Sequence, residues 1–419
     1  MTVPEAFRDR MRAELGEEYE AFMVEYEKEP LHGLRVNTLK LAPGELSLTH
    51  SLEGVEWCPE GYYYDGHMGR SPESRAGLFY SQEPSAMIAA EELGVSPGER
   101  VLDLCAAPGG KSTQLAAKLK GKGLLVSNEI VPSRAAILAE NLERMGARNA
   151  VVTNMPPEKM EELFQSYFDK ILVDAPCSGE GMFRRDEVAA REWSMEHVRS
   201  CAARQLNILA SAAKMLRGGG ELVYSTCTFS REENEGVCEG FLAENPDFEL
   251  ISQKRLMPHT HKGEGHFAAK FRRIDGPRLD RSAESKDADA SLYKAFEAES
   301  LNVRLEGRFT AFGEKLYLTP SELGALGGIK ALRPGLYLGD CKKGRFEPAH
   351  ALCMALKKED FRLTAEMSDA EVDAFYRGET ISCGEGKGWA AALWNGHSVG
   401  WGKMLDGRLK NHIPKYLRG

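Results

Sequence analysis

The chain of 419 residues is too long for one ordinary domain, and its 42% hydrophobic and 28% charged residues are typical of a globular protein. No apolar run reaches the roughly 20 residues of a membrane span, and the acidic N-terminus lacks a signal-peptide core, so we expect a cytoplasmic protein without a membrane partner. The net charge of -9 argues mildly against tight nonspecific nucleic-acid binding, although basic residues outnumber acidic ones in residues 301–419.

The nine cysteines are scattered, without a CxxC pair or a Cys/His cluster at zinc spacing. The sequence therefore predicts no structural metal. In a reducing cytosol these residues remain free thiols, and most such cysteines are small buried hydrophobic side chains. The residues around each cysteine decide which of them have another role.

The N-terminal residues 1–76 predict a small α+β unit. Residues 4–28 favour one or two short helices, residues 33–40 a strand, and residues 61–64 a second short strand. The pattern changes at residue 77, where we expect the next domain to begin.

Residues 77–275 alternate between apolar runs and helical periods, which predicts a mostly parallel sheet with helices on both faces. The predicted helices are residues 85–94, 111–121, 133–146 and 197–220, and the predicted strands are residues 101–105, 124–129, 149–154, 168–176, 221–227 and 265–274. Ser133 is the expected N-cap of the third helix and Gly146 its expected end. The glycines at 218–220 are expected to end the fourth helix, and the strand at 265–274 to be the last of this domain.

The C-terminal third divides into three parts. Residues 276–300 predict a polar linker followed by a helix, and residues 301–360 predict a small β-rich module. In residues 361–419, Ser368 is the expected N-cap of a helix, and an Asn-Gly turn within residues 388–411 predicts a β-hairpin.

The sequence VLDLCAAPGGKST (101–113) predicts a strand, a glycine-containing loop and a helix start, the place where α/β sheets bind ligands. A Walker A loop is excluded because Cys105 stands where that pattern requires glycine, and the dinucleotide pattern GxGxxG is absent. Pro108 and the two glycines after it predict a rigid turn with close backbone approach. A plain turn explains Gly109 and Gly110 equally well.

Glu129 ends the following strand, at the spacing from the glycine loop that suits bonding of a carboxylate to a ribose diol. A solvated carboxylate at a strand end is the alternative interpretation. Arg134, on the next helix, is placed either to reach the same ligand or to face solvent.

Two thiols follow two further strand ends. Asp174 ends the strand ILVD and is followed by Pro-Cys-Ser-Gly with Cys177, and another strand ends in Thr-Cys with Cys227. Core packing explains one such cysteine well, but it explains two at the tips of neighbouring strands poorly. Adenine N-methyltransferases tend to carry an aromatic residue after this proline, so a thiol there indicates chemistry on a ring carbon.

Carbon 5 of cytosine becomes nucleophilic only after a thiolate adds to carbon 6 and converts the ring to an enamine. A second thiol or a nearby base then assists release. The attacking thiol needs a lowered pKa, for which Lys111 or a helix N-terminus is a candidate cause. Asp174 is suited to bond the N4 or N3 edge of an unstacked cytosine. Strand position alone allows either cysteine to attack.

The segments LCAAPGGKST, SNE, DAPCSGEGMFRRD and YSTCTFSREENE together resemble the Sun/Fmu-type RNA cytosine-C5 methyltransferases, most closely the RsmF-like bacterial branch. RVNTLK (35–40), LFYSQEPSAM (78–87) and GEGHFAAKFRR (263–273) are similar to that family's flanking signatures. The resemblance implies an α/β fold with a Rossmann-like class I methyltransferase core, an N-terminal unit that binds RNA, and S-adenosylmethionine as cofactor.

The resemblance also implies a role for each site residue. Cys227 is then the catalytic nucleophile, Cys177 promotes product release, and Asp174 and Lys111 help to position the base. The implied cofactor-binding set is Cys105, Ala106, Ala107, Pro108, Gly109, Gly110, Lys111, Glu129, Arg134, Asn154 and Asp174. Asn154 is included because the family often carries an acid where this chain has Pro156.

Residues 361–419 resemble a PUA-like RNA-binding domain. The last segment, from Lys387, is strongly basic and carries Trp389, Trp394, Trp401 and Tyr416. This mixture favours phosphate contact combined with stacking on bases or sugars. Tryptophans that form a core beneath a solvated basic face are an equally good interpretation.

We therefore expect a monomeric, cytoplasmic enzyme that methylates carbon 5 of cytosine in 16S rRNA within the small ribosomal subunit. A tRNA substrate is the main alternative, because the motifs do not distinguish RNA targets. A noncatalytic RNA-binding ribosome assembly factor is the alternative from another class. The intact set of Lys111, Asp174, Cys177 and Cys227 disfavours it.

Overall fold

The computed structural model describes residues 3–64, 66, 69–281 and 287–418. Part of the polar linker expected at residues 276–291 therefore lies outside the described residues. None of the described helices combines the length and the apolar character required to cross a bilayer.

The N-terminal unit consists of two helices followed by a four-stranded antiparallel sheet. Its elements are α1 (Glu5–Leu15), α2 (Tyr19–Glu25), β1 (Gly33–Val36), β2 (Gly54–Val55), β3 (Cys58–Tyr63), α3 (Pro72–Arg75) and β4 (Phe79–Ser81). The strand order β2-β3-β1-β4 includes a strand beyond the boundary expected at residue 76. The strand expected at 33–40 ends early, because Asn37 turns its amide to the carbonyl oxygens of Gly77 and Met145.

The central domain is built on one large sheet. Its elements are α4 (Ile88–Leu93), β5 (Arg100–Asp103), α5 (Gly110–Leu119), β6 (Leu124–Asn128), α6 (Pro132–Arg144), β7 (Ala150–Thr153), α7 (Pro157–Leu163), β8 (Phe168–Asp174), α8 (Glu187–Glu192), α9 (Met195–Met215), β9 (Leu216–Thr226), α10 (Glu235–Glu244), β10 (Phe248–Leu256) and β11 (His266–Arg273). The strands β9-β8-β5-β6-β7 are parallel neighbours, and β11 and β10 extend the sheet in antiparallel fashion beyond β9. The expectation of a mostly parallel sheet is confirmed.

Both faces of this sheet are covered, because successive strand residues point to opposite sides and both sides are apolar. Leu102 faces the cluster formed with α7, α9 and α10, whereas Val101 faces the cluster formed with α4, α5 and α6. All four residues of β5 are buried. The expected placement of helices on both faces is therefore confirmed, and the polar ends of the central strands are left as the accessible edge.

Two helix boundaries differ from the sequence-based predictions. The helix α6 begins at Pro132, with Val131 as its N-cap, so Ser133 lies inside the helix and the predicted cap is wrong. Proline suits the first helical position because its fixed backbone angle is already helical. The helix α9 ends at Met215 rather than at the glycines 218–220, because Leu216 already pairs with Phe168 of the neighbouring strand.

The C-terminal third contains two further sheets. Its elements are α11 (Ser291–Ser300), β12 (Arg308–Phe312), β13 (Lys315–Thr319), β14 (Ala331–Arg333), β15 (Leu336–Lys342), β16 (Arg345–Pro348), α12 (His350–Met354), β17 (Thr364–Glu366), α13 (Asp369–Tyr376), β18 (Ile381–Ser382), β19 (Gly388–Trp394), β20 (His397–Leu405) and β21 (Arg408–Asn411). The strand β14 joins the central sheet beside β7, so the expectation that residues 265–274 form its last strand is wrong.

The last module confirms two local predictions and decides between the two interpretations of two of its tryptophans. Ser368 caps α13 through a capping box, and the Asn-Gly turn joins β19 to β20. Trp394 and Trp401 are 8% and 1% exposed, so these two rings belong to the core and are not available for stacking on RNA. Tyr416, by contrast, is 61% exposed, so its ring is accessible.

Candidate active site

The accessible edge of the central sheet opens into a cavity of about 840 Å³. It lies at the carboxyl ends of β5, β6, β8 and β9, where α/β sheets bind their ligands. Seven of the residues expected from the sequence line it: Cys105, Ala107, Glu129, Arg134, Asp174, Cys177 and Cys227. Residues far apart in the chain are thus brought to one place by the parallel order of the strands.

The loop between β5 and α5 is held from behind by α6. The side chain of Asn141 donates to the carbonyl oxygen of Pro108 (2.9 Å), and Arg134 donates to that of Ala107 (2.9 Å). Gly109 has φ +115°, and a Cβ there would lie 3.2 Å from Leu138. The glycine is therefore required by backbone conformation and by close packing.

The remaining expected residues of this loop do not line the cavity themselves. They are Ala106, Pro108, Gly109, Gly110 and Lys111. They act instead through the backbone path of the loop and the start of α5, apart from Lys111, whose side chain reaches Asp174.

Glu129 is buried at the end of the strand β6, with only 3% of its surface exposed. Its carboxylate accepts a bond from the backbone of Val131 (2.9 Å) and lies 3.5 Å from the guanidinium of Arg134. The interpretation of Glu129 as a solvated carboxylate is wrong. Arg134 contacts both Glu129 and the glycine loop. It therefore connects the two motifs, the loop and the strand-end acid, that the sequence analysis assigned to one ligand.

Asn154 does not line the cavity, in contrast to the sequence-based expectation. Its side-chain amide donates to the carbonyl oxygens of Glu129 (2.7 Å) and Ile130 (2.9 Å), and its oxygen accepts from Lys330 (3.0 Å). The side chain is therefore used in holding the backbone after β6. Nearby, the start of α7 contributes Glu158 to the cavity wall, a residue that the sequence pattern did not single out.

Asp174 joins the glycine loop to the thiol-bearing strands. One of its oxygens accepts from Lys111 (2.7 Å) and the other from Ser225 (2.8 Å), while His266 lies 3.7 Å away. Burial acts to raise the pKa of Asp174, but the charge of Lys111 and the hydrogen bonds from Lys111 and Ser225 outweigh it, so the pKa lies below its ordinary value. Asp174 is therefore a carboxylate at neutral pH, and it bonds the lysine expected beside it.

His266 is a member of this group that sequence reasoning missed. It is buried at the start of β11, and burial together with Lys111 lowers its pKa to about 3, so the imidazole is neutral. Neither of its nitrogens has a hydrogen-bond partner among the described residues. In the sequence, His266 directly follows Gly-Glu-Gly (263–265) in the flanking signature. Nothing in that position by itself indicates a role in the active site.

The two thiols meet in the cavity. The sulfur atoms of Cys177 and Cys227 are 3.4 Å apart, although the residues come from different strand ends. The hydrogen bond between them and burial raise the pKa of Cys177 well above its ordinary value. Cys177 is therefore a protonated thiol that can donate to its neighbour.

A buried carboxylate that the sequence analysis missed holds the loop of Cys177 in place. Glu233 accepts bonds from the backbone of Ser178 (3.0 Å), from the hydroxyl of Ser178 and from Gln205 (2.8 Å). Its own backbone oxygen accepts from Tyr224 on the strand that carries Cys227 (2.5 Å). Glu233 thus ties the loop of one thiol to the strand of the other. The sequence feature that could have indicated Glu233 is its position in the segment REENE (231–235).

The residues of the cavity fit S-adenosylmethionine. A volume of about 840 Å³ lies within the range of small-molecule sites. The buried Glu129 offers a carboxylate acceptor for a ribose diol at the end of the second strand, and the close-packed Gly109 leaves the loop backbone free of side-chain bulk. The donor set and the cavity therefore agree with an adenosine-containing ligand.

The fold and this cavity define a Rossmann-like, S-adenosylmethionine-dependent methyltransferase. The chain belongs to the RsmF family of 16S rRNA methyltransferases. The model of 16S rRNA methyltransferase RsmB/F matches residues 90–272, and that of the RsmF N-terminal domain matches residues 3–84. The first C-terminal domain of RsmF matches residues 295–356, and the RsmF PUA domain matches residues 362–419.

Named relatives match over nearly the whole chain. Ribosomal RNA small subunit methyltransferase F of Vibrio vulnificus is 32% identical over 438 residues, which covers 94% of this chain and 93% of that protein. The protein of the same name from Shewanella piezotolerans is 32% identical over 444 residues, covering 94% and 92%. Four domain matches in one order and full-length relatives agree on the family.

Solved structures match about two thirds of the chain. A methyltransferase homolog from Pyrococcus horikoshii is 31% identical and has a TM-score of 0.58, covering 64% of this chain and 95% of that one. NSun6 from Pyrococcus horikoshii, at 24% identity and TM-score 0.59, covers 65% of this chain and 98% of that one and shows likeness of fold.

Proposed function

We propose that this chain methylates carbon 5 of a cytosine in the 16S rRNA of the small ribosomal subunit, as a cytoplasmic monomer. The observation that carries the chemistry is the pair of thiols, 3.4 Å apart, in a cavity that also holds a carboxylate suited to cytosine. An RNA substrate accords with the rRNA methyltransferase relatives and the PUA domain match. The named relatives point to small-subunit rRNA rather than to tRNA.

Glu129 and Arg134, with the loop of residues 105–111, are proposed to hold S-adenosylmethionine, and Glu158 is placed to contribute at the same end. The bound cofactor supplies an electrophilic methyl group. Asn154 supports this site from behind, because its amide bonds the backbone after Glu129. The chain's own part at this end is to orient the donor and to exclude water.

At the other end of the cavity, Cys227 is proposed to add as a thiolate to carbon 6 of the unstacked cytosine. The addition makes carbon 5 an enamine carbon that is able to accept a methyl group. Asp174, ionised and fixed by Lys111 and Ser225, accepts a hydrogen bond from the N4 amino group. Uracil has a carbonyl oxygen at that position, so the same carboxylate disfavours it.

Release requires that a base, here taken to be solvent water, accepts the proton from carbon 5. The electron pair of that C–H bond then forms the double bond between carbons 5 and 6, and the bond between carbon 6 and the Cys227 sulfur breaks with its electron pair going to the sulfur. The thiol of Cys177 is protonated and in contact with the Cys227 sulfur, so it is placed to donate to the departing thiolate. This division of roles follows the family resemblance. The elevated pKa of Cys177 supports it, because a protonated thiol is a poor nucleophile and a suitable proton donor.

A pair of variants tests the division of roles. Cys227→Ala is expected to abolish methylation and to form no covalent RNA adduct, since no sulfur can add to carbon 6. Cys177→Ala is expected to accumulate an adduct that persists in a denaturing gel. The opposite pattern would reverse the two roles. If no adduct formed with either variant or with wild type, the covalent mechanism would be refuted.

The identity of the RNA is tested separately. Bisulfite sequencing of total RNA from a strain without the gene is expected to show the loss of 5-methylcytosine in 16S rRNA and its return on complementation. Loss confined to tRNA would replace the proposed substrate. Methylation unchanged in every RNA would favour a noncatalytic assembly factor.

A further inference from the structure

A second cavity, of about 530 Å³, lies where three parts of the chain meet. The N-terminal unit contributes Tyr80, the helix α6 contributes Asn141 and Arg144, and the C-terminal module contributes Tyr416 and Arg418. This junction cavity shares no lining residue with the active-site cavity. The two are nevertheless neighbours, because Asn141 bonds the carbonyl oxygen of Pro108 in the cofactor loop (2.9 Å).

The junction cavity holds a cation that no acidic side chain neutralises. Arg144 donates to the backbone oxygens of Ser74 (3.1 Å) and Phe79 (3.3 Å) and to the side-chain oxygen of Asn141 (3.2 Å). Across the described ranges, no carboxylate lies within ion-pair distance of its guanidinium. A partly buried guanidinium without a counter-ion favours the binding of an anion beside it.

Two other charged groups of the cavity, Arg75 and Glu143, already have side-chain partners. Arg75 is paired with Asp373 and lies over the ring of Tyr376, 4.5 Å from its centroid. Glu143 is held by His350 (2.8 Å) and by the hydroxyl of Tyr416 (3.2 Å). The lining of the cavity therefore contains two acidic residues, Glu140 and Glu143, and four arginines. Of the two acids, Glu143 is bonded to Tyr416 of the C-terminal module.

Aromatic rings complete the lining. Tyr80 lies between two guanidinium groups, with Arg35 5.7 Å and Arg144 5.8 Å from its ring centroid. Tyr416 is 61% exposed, so most of its ring is free to stack. The buried His350 uses one nitrogen for Glu143, and its other nitrogen has no hydrogen-bond partner in the described part of the chain. Arginine beside free aromatic surface is the usual composition of sites for single-stranded nucleic acid.

We propose that the junction cavity binds a second, unpaired nucleotide of the RNA substrate, with its phosphate on Arg144 and Arg418 and its base on Tyr416. The inference rests on the proposed function, since it assumes that the RNA reaches the active site. The nucleotide would then contact three parts of the chain, next to the cofactor loop. RNA recognition would therefore depend on all three parts rather than on the C-terminal module alone.

The ring of Tyr416 allows a sharp test with purified full-length enzyme and 16S rRNA from a strain without the gene. Tyr416→Ala is expected to raise the KM for RNA about 10-fold with kcat little changed, because base stacking is lost. Tyr416→Phe keeps the ring and loses only the bond to Glu143, so its KM is expected to stay near that of wild type. Phe312→Ala removes an exposed ring (49%) of another module and serves as the matched control.

A physical readout accompanies the kinetics. Arg418→Ala is expected to reduce the slope of log affinity against log salt by about 1, the value for one lost phosphate contact. RNA substituted with 4-thiouridine and irradiated is expected to cross-link to the peptide that contains Tyr416. Thermal unfolding of each variant identifies any change that arises from misfolding.

Equal KM values for Tyr416→Ala, Phe312→Ala and wild type would overturn the inference. So would an equal rise in Tyr416→Phe and Tyr416→Ala, because the bond to Glu143 rather than stacking would then be the cause. RNA affinity measured by filter binding without cofactor separates this failure from failure of the proposed function. If the protein binds the RNA through Tyr416 but methylates no cytosine, the proposed function is refuted, while the inference that the junction cavity binds RNA still holds.

Discussion

The sheet edge and the C-terminal module present their polar side chains in opposite ways. At the sheet edge, Asp174 and the loop of Cys177 are held by buried hydrogen-bond partners such as Lys111 and Glu233. In the C-terminal module, basic side chains stand exposed on β20 and β21, where Lys403 pairs in register with Lys410. Catalytic groups require fixed positions, whereas phosphate contacts require charge and tolerate movement.

This contrast predicts that substitutions at the sheet edge change kcat, and that those in the C-terminal module change KM for RNA. The expected effects decrease from the carboxylate that faces the base, through the residue that positions a thiol, to the exposed lysines. A large change in kcat on substitution of an exposed lysine, or a change in KM alone on substitution at the sheet edge, would contradict this contrast.

Asp174→Asn is expected to have the largest effect. The substitution removes the charge that pairs with Lys111 and offers an amide to the N4 amino group, so kcat is expected to fall by about 10³-fold. Loss of the bonded carboxylate is expected to lower the free energy of unfolding by about 2 kcal/mol. Methylation kinetics and urea unfolding measure the two effects. Asp280→Asn, at an 85% exposed carboxylate paired with Arg100, is the matched control and is expected to leave kcat unchanged.

Glu233→Gln is expected to have an intermediate effect, as a positioning residue. An amide cannot accept from Ser178 and Gln205 as the carboxylate does, so the loop of Cys177 loosens and kcat is expected to fall by about 10–100-fold, the scale of supporting-residue effects. The structural readout is the adduct: slower release is expected to increase the adduct fraction, as for Cys177→Ala but less. Unchanged release with reduced stability would make Glu233 structural only.

The neighbouring residue provides the control for that variant. Glu232 bonds Arg10 and Ser230 at the surface and makes no contact with the loop of Cys177 among the bonds found in the described residues. Glu232→Gln is therefore expected to leave both kcat and adduct level near those of wild type. Similar adduct levels in the two variants would contradict the assigned role of Glu233.

Reversal of charge at Lys403 and Lys410 is expected to have the smallest effect on chemistry. Each substitution to Glu is expected to raise the KM for RNA several-fold and to reduce the salt slope by about 1, with kcat preserved. Lys159→Glu, at an exposed lysine on α7, is the control for nonspecific charge effects. A salt slope equal to that of wild type in both C-terminal variants would remove this surface from the RNA interface.

Local patterns in the chain were sufficient for much of the fold. Alternating apolar and helical segments predicted the parallel sheet, Ser368 and the Asn-Gly turn marked a helix start and a hairpin, and motif order predicted the family. These features depend on residues close together in sequence, so their signals are local. The cap at Ser133 failed because proline one position earlier already started the helix.

Features that depend on contacts between residues far apart in the chain were decided only by the tertiary structure. The strand β14 joins the central sheet across a long stretch of chain, which no local period indicates. Asn154 was expected to face the cofactor, but the carbonyl oxygens of Glu129 and Ile130 turn its amide away. Trp394 and Trp401 are core residues because the hairpin packs against other segments.

The sequence by itself therefore determined that the chain has a methyltransferase core with two cysteines at strand ends, and that a basic, aromatic module follows. Only the tertiary structure decided that the two sulfur atoms lie 3.4 Å apart, that Glu233 ties their loops together, and that the junction cavity exists. The physical reason is that strand order and side-chain hydrogen bonds join residues tens to hundreds of positions apart. Spacing along the chain carries no information about those distances.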